Sequence, residues 1–309
     1  MFVTLVILCV FASPAVSQLT FRNVMVTCDS EQPLDDDIPF GTIVTTNKLK
    51  PHLPSTDCFK IAIQYATIHT LYQDALSDIT NANYLFLEND NIEEIEPGAF
   101  KNVKLKEALS LQSNNIKEIR RGVFNDVQVP VLILSYNLIA YIDYHAFDNM
   151  TLKSIHLDHN KLPRINPFWF RHTPKLIKLN FQHNLIEQVP EFAFQMEKLN
   201  APRIDLSHNQ IREVSGDAFA NTKRLDFLSL AFNRLESLER NWLKGVKVNV
   251  LDISHNRLRC LRDELAGPFS TNFIDKNPWS CGCLQDMKSK ESTVFGSIVA
   301  DEAFRRCNI

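Results

Sequence analysis

The chain has 309 residues, 45% of them hydrophobic, and a formal charge of −3 at pH 7. Near-balanced charge and the lack of any basic run exclude an electrostatic commitment to nucleic acid, while the apolar content is enough for a large buried core. Length alone suggests two domains, but an internal period overrides that expectation.

At the amino end, Phe2 to Ala12 form an apolar segment of eleven residues followed by Pro14 and the small residues Ala15, Val16 and Ser17. This pattern predicts a signal peptide over residues 1–17, cleaved after Ser17, although no basic residue precedes the apolar run. The segment is too short to span a bilayer, and the competing reading is a buried first strand. The expected compartment is therefore extracellular, without membrane insertion.

Seven cysteines are present, and removal of the leader takes Cys9 with it. The remaining six lie only at the ends: Cys28 and Cys58 in a cap over 18–60, then Cys260, Cys281, Cys283 and Cys307 in a cap over 259–309. Even counts at the two ends predict disulfide staples formed in an oxidising compartment. Cys28 with Cys58 is the one pairing available in the first cap, contributing about 3 to 4 kcal/mol in the loop-entropy model. Cys281 and Cys283 are too close to bond each other, so Cys260 and Cys307 each take one of them, in an order left open. A zinc site built from these four thiolates is the competing reading.

Between the caps, over 61–258, an anchor residue recurs at Ala66, Asp90, Asn114, Asn137, Asn160, Asn184, Asn209, Asn233 and Asn256, and then at Asn277. The first eight steps are 23 to 25 residues long and the last is 21. Leu, Ile or Phe stands three and five residues before each of the nine anchors, as at Leu134 and Leu132 or Leu206 and Ile204. Two columns beyond the motif test the register. Five residues after the anchor come Leu71, Ile95, Ile119, Ile142, Ile165, Val189, Val214, Leu238 and Leu261; ten after come six consecutive Phe, from Phe100 to Phe219.

A unit of this length cannot enclose a core, so neighbouring units must cover its apolar positions and stacking is obligatory. The Leu-x-Leu segment is a short strand, and the Asn that follows offers donors and an acceptor to the turn of its own unit and of its neighbour. Asp90, when ionised, cannot donate, and Ala66 offers nothing, so the ladder should be imperfect at its amino end. The returning segments carry Pro97, Gly98, Pro167, Pro190 and Gly216 and little helical periodicity. The expected fold is an α/β-type solenoid, mainly parallel β: nine units in a curved leucine-rich repeat horseshoe with loops and 3-10 turns on its convex side and disulfide-stapled ends.

These units resemble the typical extracellular leucine-rich repeats, with Phe ten residues after the ladder Asn. The run Asn277-Pro278-Trp279-Ser280-Cys281-Gly282-Cys283 resembles the start of the Cys-rich carboxy-terminal cap of such proteins. The resemblance covers about residues 61–309. It departs in placing Cys260 before the Cys-x-Cys pair, where that cap normally has both remaining cysteines after it. The compact layout is similar to secreted arthropod proteins of this kind, among them the mosquito leucine-rich immune molecules, but has no coiled coil after the repeats. The resemblance implies an extracellular protein partner and a place in innate immunity.

Counted back from each anchor, the residues one, two, four and six before it should face outward on the concave sheet. This gives an apolar start at Tyr65, Tyr84, Phe86, Val131, Ile133 and Tyr136 and an apolar end at Phe227 and Phe232. The polar middle holds His156, Asp158, His159, Lys178, Gln182, His183, Arg203, Asp205 and His208, with Asp252 and His255 further along. Large apolar side chains on a sheet face are candidate partner anchors. His159, His183 and His208 fall in one column at the strand spacing of about 4.8 Å. Such a column serves as a pH-sensitive surface, as a metal site with Asp158 or His156, or simply as the polar filler common in this repeat.

Asn149-Met150-Thr151 is a candidate glycosylation sequon. No catalytic motif, phosphate loop or lone reactive Cys stands out, so no enzyme activity, cofactor or metal ion is expected. The leading functional expectation is a secreted module that binds a protein through its concave sheet. The alternatives are an extracellular-matrix or cell-surface adhesion protein, possible as a homodimer, and a receptor fragment sensing glycans or lipopeptides.

Overall fold

The computed structural model describes residues 19–29, 40–54, 58–170, 172–194, 202–220, 222–239, 242–261, 270–290 and 297–309. The expected leader, 1–17, lies outside the described residues. Successive Leu-x-Leu segments form parallel strands in one 14-stranded sheet, including Ala82–Glu88, Val131–Ile133, Ser154–His156, Lys178–Asn180, Arg203–Asp205 and Arg224–Ser229. Equivalent residues pair without slippage, Leu132 with Ile155, Ile155 with Leu179 and Leu179 with Ile204. On the convex side two-residue strands stack as small separate pairs, such as Glu118–Ile119 with Tyr141–Ile142. Among the described residues the remainder of that side is mostly turns and irregular backbone. The α-helices among the described residues, Cys281–Ser289 and Asp301–Cys307, both belong to the carboxy-terminal cap.

The Asn column holds the units in step. The Asn137 amide nitrogen donates to Leu111 O of the preceding unit at 2.9 Å and to Leu134 O of its own at 3.1 Å. Its oxygen accepts the Ile116 N–H at 3.1 Å. Asn114, Asn160, Asn184, Asn209, Asn233, Asn256 and Asn277 repeat the pattern, all buried. Backbone groups that would be orphaned where the chain leaves the sheet are thus satisfied. The Phe spine lies beneath: Phe100, Phe124, Phe147, Phe194 and Phe219 are at most 1% exposed, each stabilising by roughly 1.5 to 3 kcal/mol. Phe170 is only half-buried, because Trp169 beside it takes the core position and donates its indole N–H to Ile142 O at 3.0 Å.

Disulfides staple both ends of the sheet. Phe21–Asp29 runs antiparallel to the first repeat strand, Cys58–Gln64, and to Phe40–Thr46 outside it. Cys28–Cys58 bonds the cap to that strand. At the far end Cys260 pairs with Cys283 and Cys281 with Cys307, which resolves the open order and replaces the four-thiolate zinc reading. There Asp275 accepts the Glu302 and Ala303 N–H groups, and Arg306 donates to Trp279 O at 2.8 Å.

The ladder's fault is at Asp90. One oxygen accepts the Ala66 N–H at 2.8 Å, and the other, which replaces the amide nitrogen, is buried without a hydrogen-bond partner. Burial pushes this carboxyl up from 3.8 to about 7, against the Ala66 N–H and with help from Glu88. The folded chain therefore keeps a proton that the unfolded chain releases. The resulting stability is complete below 3.8 and is lost as pH rises through about 7. Asp90→Asn restores the missing donor. It should stabilise the chain by about 2 to 4 kcal/mol at pH 8 and by much less at pH about 4. Denaturant unfolding at the two pH values checks this, and a gain that does not grow with pH would refute it.

Candidate functional site

The site follows from the way the chain leaves each strand. The strands that begin six residues before the anchor end four before it, as Val131–Ile133 does before Asn137. The residue just before the anchor then takes a left-handed backbone. Tyr136, His159, His183, His208, Phe232 and His255 have φ of 56°, 54°, 51°, 55°, 54° and 52°. For Tyr and Phe this conformation is costly, and the solenoid enforces it through backbone hydrogen bonds. The N–H of Tyr136 donates to Asp158 O, of His159 to Gln182 O, of His208 to Ala231 O and of Phe232 to Ser254 O, at 2.9 to 3.1 Å.

One shared backbone geometry in six consecutive units brings the six rings into a single stack. Centroid separations from Tyr136 to His159, His183, His208, Phe232 and His255 are 4.1, 4.2, 4.2, 4.2 and 3.9 Å, with interplanar angles of 9° to 16°. Sequence spacing placed three His in a column. The structure adds a Tyr at one end and, at the other, a Phe and a fourth His. Stacking of the aromatic pairs, worth about 0.5 to 1.5 kcal/mol each, offsets part of the backbone cost. Tyr136 is 51% and Phe232 43% exposed, so the stack ends in two broad apolar side chains.

The other expected site residues divide. Arg203 lies over the Phe227 ring at 4.7 Å and pairs with Asp226 at 2.5 Å, which compensates its charge. Tyr84 and Phe86 are half-buried, pack against each other with centroids 5.6 Å apart, and with Phe59 form a separate patch. Asn89 and Ser113 occupy the stack column between Tyr65 and Tyr136, so this patch is not continuous with the ladder. Ile133 and His156 are half-buried neighbours in register.

Asp158 corrects the outward rule. It is buried, accepting from Ser135 Oγ at 2.7 Å and Asn180 Nδ2 at 3.0 Å. Ser135, Ser207, Ala231 and Ser254, also two residues before their anchors, are buried as well. Alternation of faces requires an extended strand, and the strand has ended by that position. Asp205 remains half-buried on the strand, accepting from Ser207 N, Ser207 Oγ and the Gln182 amide.

In the His column the rings stack face to face at 4.2 Å, which carries their lone pairs side by side rather than toward one point. The electrostatics favour neutral imidazoles at His159 and His208. Burial lowers the His159 and His208 pKa values from the usual 6.5, and the neighbouring His183 lowers both further, against Asp158 and Asp205 respectively. Burial, then Lys178, lowers His156, against Asp158. Because these bases are depressed in the fold, their contribution to stability is complete above 6.5 and is lost as pH falls through the folded values.

This geometry defines the class: a leucine-rich repeat solenoid with disulfide-stapled ends and a ring-lined concave edge. Family models agree, with six copies of "BspA type Leucine rich repeat region" over residues 117–249 and "Leucine rich repeat" over residues 80–139. The chain is similar to P-granule-associated novel protein 1 of Caenorhabditis elegans, 29% identical over 43% of this chain and 24% of that protein. It is also similar to lumican of Homo sapiens, 34% identical over 48% of this chain and 44% of lumican. It thus spans less than half the length of these relatives. Among solved structures it shares its fold with the Toll–Spatzle complex of Drosophila, at TM-score 0.61 and 18% identity over 73% of this chain and 33% of that one. Among the described residues no helix is long and apolar enough to cross a membrane.

Two features were missed in the sequence. One is the continuity of the ladder through Phe232 to His255, which the column register already contained. The other is a convex-side cluster of His145, Asp148 and His172, whose members occupy different columns of adjacent units.

Replacing the central ring by His183→Gln removes a neighbouring charge from His159 and His208. Both should then titrate closer to 6.5, as followed by imidazole proton resonances. Unmoved midpoints would show that the rings do not sense one another.

Proposed function

We propose that the chain is an extracellular binding protein that engages a protein partner with the concave edge of its solenoid. The carrying observation is the continuous stack from Tyr136 to His255. Six preorganised rings lose little side-chain entropy on contact, and exposed Tyr, Phe and Arg are the residue types that dominate interface energetics. Three disulfides support an oxidising, extracellular setting. The proposed glycan acceptor, Asn149, is exposed just past the Phe147 spine residue, so a glycan there leaves the ring stack free.

The Toll structure is described as a hub in development and innate immunity. That description, with the resemblance to arthropod immune repeat proteins, supports an immune role for this chain as part of the proposal. Catalysis has no place in it.

Tyr136→Ser with Phe232→Ser should abolish capture of the partner from body fluid, identified by mass spectrometry against the unmodified chain. Three ring contacts are lost with these two half-exposed side chains, so the thermal transition should fall by several degrees while circular dichroism keeps the folded signature. Undiminished capture of the same partner by the double variant would remove the concave edge from consideration.

A further inference from the structure

On the convex side, away from the ring stack, three donors from two adjacent units converge. His145 lies two residues before the spine residue Phe147, Asp148 follows it, and His172 lies two after Phe170 in the next unit. His145 Nδ1 is 2.9 Å and His172 Nδ1 3.1 Å from the same carboxylate oxygen, Asp148 Oδ2. One available ligand atom from each residue lies within 4.8 Å of the others.

The cluster's hydrogen bonding is incomplete. His145 Nδ1 and the second carboxylate oxygen, Asp148 Oδ1, are buried without a hydrogen-bond partner. The contact between His145 Nδ1 and Oδ2 therefore has the distance of a hydrogen bond without its direction. A buried polar pair in that condition calls for a further group.

The frame under the three donors is rigid. Phe147 and Phe170 stack at 5.6 Å with an interplanar angle of 3°, and the Trp169 indole spans the same two units to Ile142 O. His145 is fixed in a left-handed backbone at φ 58°, and the Asp148 N–H returns to its carbonyl at 3.3 Å. His172, the exposed member, is free to adjust.

We propose that His145, Asp148 and His172 form a zinc-class metal site that links two consecutive repeats. Two imidazole nitrogens and one carboxylate oxygen are the donor set of borderline divalent ions, for which ligand bonds are about 2.0 to 2.2 Å. Ligands at that radius in a tetrahedron stand roughly 3.3 Å apart. The two N–O contacts of 2.9 and 3.1 Å need to open by a few tenths of an ångström, and the exposed His172 ring, which lies 12° from parallel to His145, must turn to aim its Nδ1 at the ion. Magnesium and calcium are disfavoured because they require mostly oxygen ligands. The lone carboxylate gives the three donors a net negative charge when both imidazoles are neutral, which favours a cation. The fourth position is left to water. The His145 and His172 rings are themselves nearly parallel, at 12° with centroids 5.8 Å apart, but unlike the rings of the stack they come from different columns and both Nδ1 atoms approach Asp148 Oδ2.

Zinc chloride titrated into the full chain in a calorimeter should bind at one site per chain and raise the thermal transition, since the site exists only in the fold. His172→Gln, at an exposed position, should weaken that site roughly tenfold or more. His183→Gln, in the ring stack, should leave it unchanged. Cobalt(II) should give the intense visible bands of a tetrahedral site in the unmodified chain and lose them in His172→Gln. Equal zinc affinity in the unmodified and His172→Gln chains, no binding at micromolar metal, or an aquo-like cobalt spectrum would each overturn the assignment.

Discussion

Everything in this molecule depends on one buried amide per unit. The ladder Asn must satisfy a carbonyl of its own turn, a carbonyl of the preceding unit and an N–H of that unit, and it reaches all three only if the units stack in a single register. An unpaired buried backbone group costs about 1 to 3 kcal/mol, so a slipped register would forfeit several such bonds at every step. The constraint sets more than the core. It holds the residue before each Asn in a left-handed turn, and six consecutive units there produce six superposed rings. The concave edge is thus a by-product of the core's hydrogen bonding, and the residue types displayed on it are what remain free to serve recognition.

The repeat, its register and its caps were legible in the sequence because they rest on period and composition. Leu132, Ile155 and Leu179 pair across the sheet as their column predicts, and Phe124 and Phe147 stack in the spine. Legibility ended where the geometry departs from a simple period. Asp158 was expected on the surface because alternation was carried two residues beyond the end of the strand, into a turn where it does not apply. The pairing of the last four cysteines needed three-dimensional proximity, since both allowed orders satisfy the same spacing argument. Phe170 kept its column but yielded the core to Trp169, a local exchange that no column average records.

The two exceptional acids show how a regular scaffold turns chemistry into structure. Asp158 replaces no ladder donor; it accepts from Ser135 and Asn180 and ties three units together through side chains. Asp90 takes the place of a donor and leaves an oxygen buried without a partner, and that burial raises its pKa to about 7. The same carboxyl group strengthens one position and weakens the other, according to whether it faces donors or acceptors. Acid therefore acts in opposite senses on the two halves of the chain: it favours the amino-terminal ladder at Asp90 and opposes the imidazole stack further along.

Translational repetition also limits what a solenoid surface can bind. Equivalent residues in successive units are related by one strand spacing, so their side chains lie parallel and their lone pairs cannot meet. The stack of His159, His183 and His208 is the outcome, a surface that presents ring edges in a row and suits an extended protein contact better than a point ligand. Convergence requires breaking the column. His145 and Asp148 stand eight and eleven residues after Asn137, whereas His172 stands twelve after Asn160, and that offset turns their donors toward a common oxygen. One strand spacing thus yields a row of stacked rings where columns match, and donors brought to one oxygen where they do not.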